Sequence, residues 1–164
     1  FQGLAIWEEE KYRQLQGTYP VINLSFARIK ETDYKKTKAK IYEVLRNEYI
    51  KYYYVRNSDV LTDADRNTFD CILSKDMEET DATSALYQLS DFLYRYYGKK
   101  VIILLDEYDT PMQEAYINGF WEELVSFTRS LFNSTFKTNP YLERGIMTGL
   151  FLENRRTSIT HGLF

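Results

Sequence analysis

Within KVIILLDEYDTP (100–111), five aliphatic residues at 101–105 run without a break into two adjacent carboxylates, Asp106 and Glu107. A short run of Val, Ile and Leu opening just after Gly98, Lys99 and Lys100 is the pattern of a strand in the middle of a parallel sheet, covered on both sides. Ligands of such sheets lie outside the carboxyl ends of the strands. The two acids therefore stand where chemistry is expected, although an ordinary strand also ends on polar residues when it meets water.

The rest of the chain supplies the partners such a strand requires. VINLSF, 21–26, is a β-rich run opened by Gly17 and Pro20, and 145–149 within RGIMTGL is a third apolar run after Pro140. Between them lie helical patterns. Asp33 caps one with Ile41, Leu45 and Tyr49 at helical spacing, and a short helix is expected near 64–73. Asp81 caps another, striped by Leu86, Leu89 and Leu93 and stopped by Gly98. Thr110 and Pro111 read as the cap and first residue of a helix that Asn118-Gly119 interrupts, and a longer one runs over 120–136. Alternating strands and long crossovers predict an α/β fold, a parallel sheet flanked by helices.

Composition excludes several functions. A net charge of −3 gives no general pull toward nucleic acid or anionic membrane. Residues 30–56 are locally basic and 59–81 locally acidic, as a solvated helix face and loop would be. Cys71 is the only cysteine and His161 the only histidine, so neither an internal disulfide nor a Cys- or His-rich zinc site is available. A lone cysteine and no long apolar stretch lead us to expect a cytoplasmic protein. Fifteen tyrosines, clustered in YIKYYYVRN and YRYYG, are explained by helical spacing and by tyrosine's fitness for half-buried positions.

Asp106 and Glu107 suit nucleotide hydrolysis, which needs an anionic group near Mg²⁺ and a second carboxylate to polarise the attacking water. Thr148, on the neighbouring run, would orient that water or sense the terminal phosphate. A metal-dependent nuclease on Asp106, Glu107 and Asp109 is a weaker reading, because no lysine stands in a D…(D/E)-x-K arrangement beside them.

FQGLAI, YPVINLSF, VIILLDEYDTP and RGIMTGL, in this order and spacing, resemble the AAA-ATPase-like domain of bacterial proteins, whose acidic motif reads D-E-Y-D-x-P. The resemblance spans nearly the whole chain. It implies a P-loop NTPase core of sheet order 5-1-4-3-2, with 21–26 as strand 2, 101–106 as strand 3 carrying Walker B, and 145–149 as strand 4. On that basis Asp106 contributes to cofactor binding and holds Mg²⁺ through water, Glu107 is catalytic, and Thr148 is the catalytic sensor. The cofactors are ATP and Mg²⁺. Arg155 and Arg156 follow the T-G without matching the family's pattern.

One family element is missing from these residues. The phosphate-binding loop G-x-x-x-x-G-K-[ST] does not occur, since the only Gly-Lys, Gly98-Lys99, is followed by Lys100 and preceded five residues earlier by Leu93. We therefore expect residues 1–164 to be a single partial domain, truncated at both ends, with the loop upstream of Phe1. Such a piece is expected to be inactive alone, to hold no nucleotide tightly, to show strand order 4-3-2, and to self-associate through an exposed edge. The alternative function is a non-catalytic interaction module using the tyrosine-rich helices and that edge.

Overall fold

The computed structural model describes residues 3–149. Strands β1 (Val21–Ser25), β2 (Val101–Asp106) and β3 (Leu142–Met147) form one parallel sheet in the order β1-β2-β3. Helices α1 (Tyr34–Lys51), α2 (Asp63–Leu73) and α3 (Glu79–Tyr97) occupy the first crossover, and α4 (Thr110–Asn118) and α5 (Trp121–Phe132) the second. The architecture is the α/β arrangement read from the sequence, with β2 central and the 4-3-2 order in place.

Local chemistry sets the helix ends. The Asp33 carboxylate accepts the Lys36 N–H at 2.9 Å at the start of α1, a bond that lowers its pKa. Gly98 (φ 65°) and Gly119 (φ 83°) close α3 and α4 in left-handed conformations that a side chain would disfavour. Two starts differ from the sequence reading. Glu78 precedes α3, and Asp81 lies three residues in, where its carboxylate accepts the Glu78 N–H at 3.1 Å. Asp109, not Thr110, precedes α4, because Thr110 has already joined the helix. The last long helix ends at Phe132 and passes into a π turn, Asn133–Lys137.

The third strand begins at Leu142, ahead of the expected 145, and ends at Met147. Leu142 pairs with Val101 and Arg144 with Ile102, so Glu143 is the extra residue of a bulge. Thr148 and Gly149 lie just past the strand. Arg155 and Arg156, which carry no assigned role, and His161 fall outside the described residues.

One face of the sheet carries the core. Ile22, Leu24, Val101, Ile103 and Leu105 are buried with Leu45, Tyr49, Leu89, Leu93 and Phe127 from the helices. Helix α1 lies against β1 and α3 against β2. On the other face Ile102 and Leu104 are half-buried, and Val21 and Ile146 are exposed. The expectation that β2 is covered on both sides is therefore corrected: among the described residues its burial is complete on one face alone.

The outer edge of β1 is sealed by the last turns of α1. The buried Glu48 carboxylate accepts the Asn23 N–H at 3.0 Å and is paired with Lys51. The Lys51 ammonium also donates to the Asn23 carbonyl at 3.3 Å, and the Tyr52 hydroxyl donates to the Val21 carbonyl at 2.5 Å. Side chains thus satisfy backbone groups that an added strand would otherwise use.

Asp65 ties α2 to α3. Its carboxylate accepts from Arg95 at 2.9 Å and from the Thr62 N–H at 2.8 Å, closing a reciprocal capping box with Thr62. Arg95 first, with Thr62 adding to it, holds the Asp65 pKa down to about 2 from 3.8. A depressed folded-state pKa stabilises the fold above the unfolded value and loses that contribution as pH falls through the folded value. Asp65→Asn should cost about 1–2 kcal/mol at neutral pH, after allowance for solvent screening. Urea titrations should show the gap from wild type narrowing as pH falls from about 4 toward about 2; a gap independent of pH would contradict this account.

Candidate active site

Every residue of the DEYDTP turn has an identifiable place. β2 ends at Asp106, whose carbonyl still accepts the Phe26 N–H at 2.9 Å while its side chain reaches solvent. The chain then reverses at Glu107, which has φ 50° and is the only non-glycine residue with positive φ among those described. A left-handed conformation at such a side chain costs on the order of 1–2 kcal/mol and persists only where surrounding contacts fix it.

Those contacts are present. Tyr108 turns inward, its ring 6.4 Å from Phe132 in a T-shaped contact, and burial raises its phenol pKa. The Tyr108 N–H donates to the Thr148 carbonyl at 3.2 Å, and the Thr148 N–H to the Leu105 carbonyl at 2.9 Å, so the turn is joined to the end of β3. The Thr110 N–H closes the turn on the Glu107 carbonyl at 3.1 Å, and Pro111 and Met112 anchor α4 in the interior.

Two of the three candidate residues meet, and the third adjoins one of them in the chain. The Thr148 hydroxyl donates to Asp106 Oδ1 at 2.5 Å across the β2–β3 boundary. Glu107 is next in the chain, its carboxylate exposed, with Oε2 accepting from the Thr110 hydroxyl at 3.1 Å. The sheet therefore brings Asp106 and Thr148 into contact from positions 42 residues apart in sequence.

Two neighbours escaped the sequence reading. Ser25 is in register with Asp106 on β1, so Ser25, Asp106 and Thr148 occupy adjacent strand ends, a hydroxyl on either side of the carboxylate. A parallel register is invisible until strands are paired, although Ser25, the one hydroxyl residue within VINLSF, was an available signal of a strand end. Asp109 figures in the sequence as added negative charge and as a ligand of the weaker nuclease reading, whereas its packing against the end of β3 is not visible there. Its Oδ2 accepts from Gln113 at 2.8 Å, and a Cβ added at Gly149 would lie 2.4 Å from its Oδ1 and 3.2 Å from the Tyr108 ring.

Gly149 is thus the small residue that lets the end of β3 approach the acidic turn. Gly149→Ala should displace the Asp109 carboxylate, break its bond to Gln113, and lower stability by about 1 kcal/mol. The double variant with Asp109→Ala should recover part of the loss in a double-mutant cycle read by urea denaturation. Strict additivity would show that the two residues do not press on each other.

The oxygen set suits a hard divalent cation held sparingly. Among the described residues no group of three His, Cys, Asp or Glu side chains could hold a metal ion alone. Mg²⁺ characteristically takes one or two carboxylates and fills its remaining positions with water and phosphate oxygens, which is what the exposed Asp106 can offer. A carboxylate-rich nuclease centre, the weaker reading of Asp106, Glu107 and Asp109, gains no support from this arrangement. Nor, among the described residues, is any helix long and apolar enough to cross a membrane.

The family model described as "Predicted AAA-ATPase" matches residues 1–159. No curated protein matches the chain, and no solved structure does. With the match covering almost the whole sequence and a parallel α/β sheet consistent with part of a P-loop-like core, the chain belongs to the AAA-ATPase-like family of predicted ATPases.

Proposed function

We propose that this chain supplies the Walker B and sensor half of an ATP-hydrolysing site, whose phosphate-binding loop is contributed from outside these 164 residues. The observation that carries the reading is the Thr148–Asp106 hydrogen bond at the carboxyl ends of β2 and β3, with Glu107 held in a strained turn beside it. Asp106 would hold Mg²⁺ through water, and the bound cation would neutralise charge on the nucleotide phosphates. Glu107 polarises the attacking water and takes up its proton. Thr148 orients Asp106 and reports on the terminal phosphate.

Binding energy for the phosphates comes mainly from backbone amides and a lysine in a glycine-rich loop, which this sequence lacks. The isolated chain should accordingly neither turn over nor tightly retain ATP, whereas a version extended upstream to include such a loop should show Mg²⁺-dependent hydrolysis. Micromolar ATP binding by the isolated chain would overturn the first expectation. Absence of hydrolysis in the extended protein, its loop intact, would overturn the ATPase reading.

A second reading is favoured by the exposed rings of Tyr53, Tyr54, Tyr94, Tyr96 and Tyr97: a protein-interaction module using the tyrosine-rich helices and a sheet edge, self-association included. It predicts indifference to any change at Glu107, which separates it from the enzyme.

A further inference from the structure

We propose that Thr110 is a positioning residue for Glu107, setting which carboxylate oxygen is left to meet the attacking water; this rests on the ATPase reading above. Thr110 contacts Glu107 twice: its N–H donates to the Glu107 carbonyl and its hydroxyl to Glu107 Oε2, both at 3.1 Å. As first residue of α4 it is itself immobilised, because Pro111, Met112 and Ala115 bury the next turn, and the Thr128 hydroxyl lies 3.9 Å from the Met112 sulfur. Among the described residues the Glu107 side chain makes no other hydrogen bond. Its side chain is exposed, and its φ of 50° already commits the backbone to an unfavoured conformation.

A carboxylate has two oxygens and room for several donors. With Oε2 engaged by Thr110, Oε1 is free to accept a proton from water, and the side chain is restricted to the rotamers compatible with the bond. General-base efficiency depends on this geometry before it depends on basicity. Thr148 performs the same service for Asp106, so each carboxylate of the pair is held by its own threonine hydroxyl, one from β3 and one from α4.

A hydroxyl on the first residue of a helix also serves as ordinary local capping, which would affect stability and leave turnover alone. The test therefore uses Thr110→Val and Thr110→Ser in the full-length protein, with ATP affinity, kcat and KM measured for each and Glu107→Gln as reference. Thr110→Val should lower kcat about tenfold with ATP affinity unchanged, and Thr110→Ser, which restores the hydroxyl, should return most of the rate. Wild-type kcat in Thr110→Val, with Glu107→Gln inactive, would overturn the role of Thr110 while leaving the ATPase reading intact. A wild-type protein that neither binds nor hydrolyses ATP would overturn both. Equal losses in the Val and Ser variants would likewise reject the hydroxyl as the operative group.

Discussion

Glu107→Gln in the full-length protein is expected to keep its nucleotide and lose turnover by about 10²- to 10⁴-fold, the range of a general base. The substitution is nearly isosteric, and its amide oxygen can still accept the Thr110 hydroxyl, so the strained turn and its bonds to β3 have no reason to relax. What disappears is the negative charge and the ability to take a proton from water. Retained ATP binding with lost hydrolysis, read by single-turnover kinetics, would identify Glu107 as acting on the chemical step. Turnover close to wild type would remove Glu107 from the mechanism and favour the interaction module.

The largest effect on stability is expected at Tyr49. Its side chain is fully buried, stands 4.7 Å from the Phe69 ring centroid, and donates its hydroxyl to the Ala85 carbonyl at 2.7 Å, linking α1 to α3. Tyr49→Ala should cost about 3–5 kcal/mol, as deletion of a buried aromatic does. Tyr49→Phe keeps the ring and should cost about 1 kcal/mol for the lost hydrogen bond. Both values can be read from urea denaturation at neutral pH.

The alkaline range gives an independent check. Burial raises the Tyr49 phenol far above its ordinary value of 10.0. The folded state then keeps a proton that the unfolded state releases, so this contribution is complete below pH 10.0 and declines as pH rises beyond it. Relative to Tyr49→Phe, wild type should lose its advantage above that pH. An advantage that persists would mean that the phenol ionises alike in both states.

Tyr49 also shows what the sequence could and could not reveal. Its helical spacing from Ile41 and Leu45 places it on the inner stripe of α1, and the structure buries all three. Tyr52 and Tyr54 carry the same local signal, yet one seals the edge of β1 and the other meets Tyr97 hydroxyl to hydroxyl, because neighbours distant in sequence decide. The strands were legible for a similar reason: hydrophobic runs, glycine stops and crossover length are local quantities that fix a parallel order. Register is a pairing property, so the Glu143 bulge, the place of Ser25 beside Asp106 and the true start of β3 were not.

The acids divide in the same way. The position of Asp106 and Glu107 at a strand end could be read from the letters, whereas the left-handed turn at Glu107 could not, since glutamate gives no hint of positive φ. The one-sided burial of β2 was also hidden. Ile102 and Leu104 are as apolar as Ile103 and Leu105, and only the placement of α1 and α3 distinguishes them.

The sealing of β1 by Glu48, Lys51 and Tyr52 gives the sheet a valence. A sheet open on both margins can add partners at each and propagate into a fibre, as a bifunctional monomer does. Here one margin is already occupied by the chain's own side chains, so any strand recruited through backbone hydrogen bonds would have to add at the other. A unit sealed on one margin is to a growing sheet what a chain terminator is to a polymer: were two copies to meet edge to edge, they would exhaust each other's capacity, and growth would stop at the pair.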